Sequence, residues 1–456
     1  MARSIYVGLR LSRKSAAVDQ CDVRRHKHVL RFKPLNIAVC TKPTMKLFLQ
    51  ITSLLLAVLL QHAAAQTTIP QDSPLARPIK NLVLLVSIDG FRNDYLDRGI
   101  TPNLSALAQQ GTLAKKFEPV FPTITFPNHF ALITGRYPDH NGIVNNTMYD
   151  PAKTDQVFRL SDRHAIENPL WWEEGTPLWV TLNKQGKRSS TLFWVGSEAP
   201  IQGIQPNDWL KYEHALSSSE RTKQLLRWLN RDDQDRADFA TLYFSEVDSK
   251  GHEFGPDSPE VDASITSADQ AIGELLEGLR ALGLAEKTTL VVTSDHGMAH
   301  ITPDRAVDLS AYAKELDSVR IQWAGPLAGF DANVTDKPVL LNRLKQNPNM
   351  DCWAKEDIPA KYHFGTHRRV PQVVCLAKAG WSTIARAGQK VIPGQHGHDP
   401  IDPAMQGLFL IQGPQIKRAQ LDTVRNIDVY NLLVRLLKVV GEKNDGQDTL
   451  YDLVKE

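Results

Sequence analysis

The chain has 456 residues, 42% hydrophobic and 23% charged, a balance that supports a buried core and excludes a disordered or collagen-like chain. Its net charge of +2 hides an asymmetry: of 53 Lys/Arg and 51 Asp/Glu, residues 1–65 hold eleven and two, so the remainder carries 42 against 49, a net of −7. An acidic body lacks the broad basic face that a nucleic-acid polymer demands, and it suits the binding of divalent cations.

In chain order, Met45 and Lys46 open a short basic region, residues 47–60 are nearly all apolar, and Ala63, Ala64 and Ala65 are small. That pattern reads as a secretory signal peptide over residues 45–65, cleaved after Ala65 and too short for a comfortable membrane span. The mature protein is therefore expected to be exported, periplasmic or secreted, with no stable span after cleavage. Residues 1–44 form an awkward extension, explained most simply by translation starting at Met45; a basic tail before an uncleaved anchor fits less well because the apolar run stops early. Residues 66–77 read as a polar, Pro-rich linker, and residues 78–456 as one large domain.

The run Leu82–Ile88 predicts a strand buried on both faces, as in a parallel sheet. After Asp89-Gly90, the pair Thr101-Pro102 carries helix-start chemistry, and Leu104, Leu107 and Ala108 give an apolar stripe ended by Gly111. Further strands are expected at residues 191–195, 239–244, 288–293 and 407–411, with helices near 220–229 and 260–282. No repeat of fixed period is present, which excludes a solenoid. Residues 304–390 are more irregular and predict a small appended lobe. It holds Cys352 and Cys375, the two cysteines left after the signal and expected to pair in an oxidising compartment. Two buried free thiols are the alternative. Cys21 and Cys40 lie in the segment expected to be absent from the mature protein.

Chemistry concentrates just beyond the strands. The first strand is followed by Asp89, the strand at 239–244 by Asp248-Ser249-Lys250-Gly251-His252, and the strand at 288–293 by Asp295-His296-Gly297. Ligands gather beyond the carboxyl ends of strands in open α/β sheets, so these groups can converge despite their separation in sequence. Gly394-Gln395-His396-Gly397, before the last strand, adds another imidazole. Three Asp and three His are suitable ligands for a pair of zinc ions. Singly, each has a bland explanation: Asp89 as a turn residue, Asp248 and His252 as a polar loop, His396 as a surface histidine. Together they are hard to dismiss. His140, His164, His214, His363 and His367 show no acidic partner at such an edge, and His398 and Asp399 are at best supporting groups. Thr125, in Phe121-Pro122-Thr123-Ile124-Thr125-Phe126-Pro127-Asn128-His129, stands at a predicted helix start, where free N–H groups suit attack on a phosphate. The bland alternative is a simple helix cap.

These residues carry a resemblance. Val86-Ser87-Ile88-Asp89-Gly90-Phe91, the Pro-Thr-x-Thr-Phe-Pro-Asn-His run, Tyr149-Asp150-Pro151, Phe193-Trp194-Val195-Gly196-Ser197-Glu198-Ala199, Asp248 with His252, Ser294-Asp295-His296-Gly297-Met298 and His396-Gly397 closely resemble the nucleotide pyrophosphatase/phosphodiesterase family of the alkaline phosphatase superfamily, over residues 80–440. The resemblance implies an alkaline-phosphatase-like α/β fold: a central, mostly parallel sheet, helices on both faces and a small irregular appended lobe. It implies one zinc on Asp248, His252 and His396, and a second on Asp89, Asp295 and His296 with the nucleophile Thr125. Asn146 matches the asparagine that donates to a phosphoryl oxygen, and Phe126 and Tyr212 match the aromatic pair that holds a nucleobase. The turn Asp139-His140-Asn141-Gly142 departs from the family, which often has His directly before Gly, so no role passes to His140.

The expected activity is zinc-dependent hydrolysis of a phosphodiester or pyrophosphate bond, with small-molecule nucleotides favoured as substrates and a nucleoside monophosphate released. Choline phosphodiesters and lysophospholipids also fit the core. A phosphomonoesterase fits less well, because the extra charge of a monoester calls for a cation beside the nucleophile, where Phe126 stands. A sulfatase would need a Cys/Ser-x-Pro-x-Arg run at the nucleophile. The reading outside enzymes, an inactive ligand-binding protein on the same fold, is opposed by retention of every candidate ligand.

Overall fold

The apolar run Leu82–Ile88 forms strand β1, with all seven residues buried. Side chains alternate across a strand: Val83 and Leu85 enter the core on one face of the sheet, and Leu82, Leu84, Val86 and Ile88 the core on the other. The computed structural model describes residues 80–153 and 156–455. The signal peptide at 45–65 with its cleavage point, the extension 1–44, the linker 66–77, Cys21 and Cys40 lie outside the described residues. Among the described residues no helix is long and apolar enough to cross a membrane.

After β1 come α1 (Pro102–Gln110), β2 (Thr112–Glu118), α2 (Thr125–Thr134), β3 (Ser189–Leu192), β4 (Asp208–Trp209), α3 (Ser218–Leu229), β5 (Phe239–Phe244), α4 (Glu246–Phe254), α5 (Pro259–Ala281) and β6 (Thr288–Thr293). The lobe contributes β7 (Arg320–Trp323), β8 (Leu327–Asp331), β9 (Met350–Ala354) and β10 (Val373–Ala377), and β11 (Phe409–Gln412), β12 (Gln420–Arg425) and α6 (Val429–Leu437) follow. The main sheet has eight strands in the order β12-β2-β11-β6-β1-β5-β3-β4. Only β11 runs against its neighbours β2 and β6; every other pairing is parallel. Helices α2 and α6 cover one face, and α1, α3 and α5 the other. The fold is therefore the expected α/β architecture with a mostly parallel sheet, and the lobe is a small four-stranded antiparallel sheet of order β7-β8-β10-β9. Cys352 and Cys375 face each other across β9 and β10 and form the disulfide.

Several boundaries differ from the pattern for local reasons. The strand expected at 191–195 ends at Leu192 because Phe193 takes φ 63° and Gly196 φ 86°, which turns the chain. The strand expected at 407–411 starts two residues later, at Phe409. Helix α3 starts at Ser218 behind a capping box between Ser217 and Glu220, which satisfies two otherwise orphaned donors. At α1, Thr101 makes no side-chain cap. The buried Asp269 of α5 does that work from across the interface, accepting from Asn103 N at 3.1 Å and Leu104 N at 2.8 Å. A carboxylate there also meets the positive end of the helix dipole.

The lobe is fastened to the segment that carries Asn146 by one buried ion pair. Arg369 and Asp150 both have fully buried side chains and meet at 2.8 Å. Arg369 also donates to Gly142 O at 2.7 Å and Trp171 O at 2.9 Å. Burial alone would raise the Asp150 carboxyl, but hydrogen bonds from Arg368 and Arg369 outweigh it and carry it down to about 2. A depressed carboxylate stabilises the fold above its unfolded pKa of about 4 and loses that contribution as pH falls towards 2. Asp150→Asn should therefore cost at least about 2 kcal/mol at neutral pH, the more so because it strands the Arg369 charge. In denaturant melts across pH, the gap from wild type should narrow between about pH 4 and pH 2.

Candidate metal centre

Strands β5, β1 and β6 lie side by side, and the chain leaving each of them brings a carboxylate to one place. Asp89 directly follows β1, its N–H held by Phe244 O at 2.9 Å. Asp295 and His296 follow β6 after Ser294, whose N–H is held by Leu408 O at 3.0 Å. Asp248 and His252 belong to helix α4, not to a polar loop; four residues apart, they share one helix face. Gly90, at φ 67°, permits the approach of α4: a side chain there would sit 3.0 Å from the Asp248 Cα. Its N–H donates to Asp295 Oδ1 at 3.2 Å.

His396 arrives from the far end of the sequence. Residues Gly394–Gln395 pair with Ala299–His300 and press on α4 so closely that a Cβ on Gly394 would fall 1.9 Å from Gly251 O. Only glycine allows that contact. It places Gly394 O 2.8 Å from His252 Nδ1.

All three imidazoles are oriented alike. The Nδ1 of His252, His296 and His396 face backbone carbonyls of Gly394, Gly297 and Thr123 at 2.8, 2.9 and 2.9 Å. A carbonyl can only accept, so each Nδ1 carries the hydrogen and each Nε2 is turned inward as a donor for a metal. Two clusters result. In one, His252 Nε2, His396 Nε2 and Asp248 Oδ1 lie 3.2, 3.4 and 3.6 Å apart in pairs. In the other, His296 Nε2 lies 3.0 Å from Asp295 Oδ2 and 3.6 Å from Asp89 Oδ1. The rings of His296 and His396 stack at 3.6 Å and join the two.

This donor set fits metal ions. Asp89 Oδ1, Asp248 Oδ1 and Asp295 Oδ2 are buried with no hydrogen-bond partner, and two imidazole Nε2 atoms face each other at 3.2 Å. Both arrangements repel themselves unless a cation lies among them. The titration of the groups points the same way. Burial, then the Asp295 and Asp248 charges, push Asp89 well above the carboxylate range. Burial would raise Asp295 too, but the imidazoles of His296 and His129 take it down. Burial lowers His296, yet Asp295 overrides it and the net shift is upward: the carboxylate seeks positive charge at Nε2. Burial, His296 and His252 hold His396 far below its usual value, neutral and able to ligate.

Thr125 is the first residue of α2, and no side chain caps that helix. Its hydroxyl lies 3.3 Å from His296 Nε2, inside the second cluster. Asn146 Oδ1 accepts from Phe126 N at 2.9 Å. The Phe126 ring is half-buried and meets Phe158 edge-on at 5.9 Å, with Trp172 at 6.2 Å. Tyr212 packs against Phe193 and Tyr243 and donates to Ser245 Oγ at 3.2 Å. His398 is buried against Trp381 O, and Asp399 binds Lys361 and Tyr362. His140 and His367 do have acidic partners, Asp445 and Glu174, apart from this centre.

Two supporting residues escaped sequence reasoning. His129 is fully buried, with Nδ1 2.9 Å from Thr125 O and 3.4 Å from Asp295 Oδ2, and with Nε2 2.8 Å from Ser87 Oγ. Its place four residues after Thr125 on one helix face was the available signal. The Tyr243 hydroxyl donates to Asp89 Oδ2; in so apolar a strand it resembled ordinary core.

The match to known proteins agrees with this geometry. The model of the type I phosphodiesterase / nucleotide pyrophosphatase family matches residues 83–399. A pyrophosphatase/phosphodiesterase of Schizosaccharomyces pombe, itself uncharacterised, is 34% identical over 80% of this chain and 79% of its own. Bis(5'-adenosyl)-triphosphatase enpp4 of Xenopus laevis is 34% identical, again over 80% and 79%. Rat ectonucleotide pyrophosphatase/phosphodiesterase family member 1 is 36% identical over 82% of this chain but 42% of its own. The structure of murine ENPP5, an inactive threonine-to-alanine variant in complex with AMP, superposes with a TM-score of 0.78 at 30% identity, covering 82% of this chain and all of that one. The sheet defines an alkaline-phosphatase-like α/β fold, and the donor set fits a metal-dependent hydrolase. More narrowly, the chain belongs to the type I phosphodiesterase / nucleotide pyrophosphatase family.

Because Gly394 O orients His252, Gly394→Ala should weaken metal retention about 10–100-fold, the usual effect of losing a partner behind a ligating imidazole. Chelator competition, read by metal content alongside circular dichroism, checks this: metal should leave at lower chelator concentration while the folded signal persists.

Proposed function

We propose that the protein is a two-zinc phosphodiesterase that cleaves phosphodiester or pyrophosphate bonds of nucleotides through a covalent intermediate on Thr125, releasing a nucleoside monophosphate. The observation that carries this reading is the Thr125 hydroxyl, which does not cap its helix and lies 3.3 Å from His296 Nε2 among the donors of the second cluster. Asp248, His252 and His396 would hold one ion, and Asp89, Asp295, His296 and Thr125 the other. Mixed imidazole and carboxylate donors suit zinc. When bound, the ions supply Lewis acidity at both ends of an in-line displacement, lowering the pKa of the Thr125 hydroxyl and taking up charge on the departing oxygen.

The chain's own residues then perform positioning and bond exchange. Thr125 Oγ1 gives up its proton to solvent and attacks phosphorus, the bond to the leaving oxygen breaks, and that oxygen departs with the electron pair. Water next attacks the same phosphorus, cleaves the threonine ester and returns a proton to Thr125. The Asn146 amide is fixed by the Phe126 N–H, which leaves its Nδ2 to donate to a phosphoryl oxygen. Phe126 and Tyr212 form the aromatic pair for the nucleobase. A diester is preferred to a monoester because no cation adjoins Thr125 in sequence. Nucleotide substrates gain support from the bis(5'-adenosyl)-triphosphatase and the AMP complex among the relatives, and the threonine from the inactive variant of the latter. We place this activity in a catalytic domain of residues 78–456, exported behind the signal peptide at 45–65.

Thr125→Ala should lower turnover of a nucleotide nitrophenyl ester at least about 10³-fold while keeping its metal, since the hydroxyl is one donor among several. Retention of a substantial rate would end the covalent scheme. Elemental analysis should find about two zinc ions per chain, falling to about one in His396→Ala; a single ion in fully active protein would remove the two-metal reading.

A further inference from the structure

A cavity of about 170 Å³ opens beside His396, between the catalytic core and the lobe. Ile124, Asn145 and Thr147 wall it from the core, and Gln322 and Trp323 at the end of β7 with Ala324 in the turn to β8 wall it from the lobe. These are the immediate neighbours of the two groups that handle phosphorus: Ile124 precedes Thr125, and Asn145 and Thr147 flank Asn146. The Trp323 indole N–H donates to Thr147 O at 2.7 Å and locks the lobe turn onto that segment.

The direction of the reaction assigns the cavity a role. In an in-line displacement the leaving group departs opposite the nucleophile. Thr125 Oγ1 belongs to the cluster of Asp89, Asp295 and His296, so the departing oxygen lies towards Asp248, His252 and His396. The cavity continues outward from His396. Among the described residues that wall it, none is a Lys or Arg. The nearby Arg320 is paired with Asp331 at 2.8 Å, and the Gln322 amide is bound to the same carboxylate. A phosphate chain would enter this space without a counter-charge, whereas a hydroxylated, uncharged group would find amides, a hydroxyl and apolar walls. A cavity of about 150 Å³ admits a benzene ring, so this one has room for a sugar-sized group.

We infer that this cavity is the leaving-group subsite and that it selects phosphodiesters whose departing group is a neutral alcohol, such as a nucleoside, over nucleoside triphosphates, whose departing group is pyrophosphate. This rests on the function proposed above and adds the substrate class to it. Ala324 is exposed at the rim, so its replacement tests the cavity without disturbing the core.

The test compares kcat/KM of the metal-loaded enzyme on three adenylates: a dinucleoside monophosphate, ATP, and adenosine 5'-phosphorofluoridate, whose small leaving fluoride needs no cavity. The wild type should favour the dinucleoside monophosphate over ATP by about tenfold or more. Ala324→Lys should shift that ratio towards ATP about fivefold, the effect of one exposed ion pair. Ala324→Trp should depress the dinucleoside monophosphate at least about tenfold more than the phosphorofluoridate. A wild-type preference for ATP, or equal losses on all three substrates in Ala324→Trp, would overturn the assignment while leaving phosphodiesterase action intact. Failure of the wild type to hydrolyse any of the three would overturn the proposed function itself, and the subsite with it.

Discussion

Asp89, Asp248 and Asp295 are brought together with one oxygen of each buried and unbonded, and the surrounding structure is organised around that concentration of negative charge. Two like charges about 4 Å apart cost about 4 kcal/mol at the effective dielectric of a protein. A fold tolerates such a cost only if a cation or a proton offsets it and the scaffold is too rigid for the carboxylates to swing away. The rigidity is visible. Strands β5, β1 and β6 are adjacent and paired along nearly their whole length, so the starting points of Asp89, Asp295 and α4 are fixed by sheet hydrogen bonds. Each imidazole is locked by a backbone carbonyl, and the Asp89 carboxylate by Tyr243.

The placement of Thr125 is part of the same problem. His129 is buried and held neutral by that burial against the pull of Asp295. Its Nδ1–H faces Thr125 O and Asp295 Oδ2 together, and its other nitrogen accepts from Ser87 in β1. One ring thus ties the first turn of α2 to a central strand and to a candidate metal-donor carboxylate. Thr123 does likewise two residues before Thr125: its carbonyl orients His396, while its hydroxyl accepts from Gly397 N and donates to His398 O. Thr125 and the candidate donors therefore cannot move independently, a preorganisation that would favour in-line chemistry.

How much of this was legible in the sequence follows from the range of each interaction. Strand β1 and the strands at 239–244 and 288–293 were readable because burial on both faces forces a continuous apolar run that stops where the polar site begins. The donors were readable because they stand at those stops. The helical setting of Asp248 and His252 was not, since α4 is short and half polar and its position is fixed by contact with Gly90 and Gly394, distant in sequence. Asp269 capping α1 from another helix was equally hidden, as was the Arg369–Asp150 pair. Local patterns announce elements and their ends, whereas groups whose partners lie a hundred or more residues away look like ordinary core or surface.

The two halves of the centre differ in depth, and that difference bears on how an ester on Thr125 would be resolved. Asp295 and His296 have fully buried side chains and Asp89 is nearly so, whereas His252 is 33% exposed and Asp248 16%. Thr125, the proposed nucleophile, thus adjoins the more deeply buried cluster, where excluded water strengthens each electrostatic contact. On the proposed assignment the departing group would leave through the more exposed end, past His396 into the cavity below the lobe. Once it has gone, the space it vacates is the one with a path to solvent. Water entering there approaches phosphorus opposite Thr125 Oγ1, which is the geometry that a second in-line displacement needs to expel the threonine. A site buried equally on both sides would trap the ester, and one open on both sides would expose the hydroxyl to bulk water before substrate arrived. On the proposed mechanism, unequal burial would make attack by Thr125 and release by water successive events at one phosphorus.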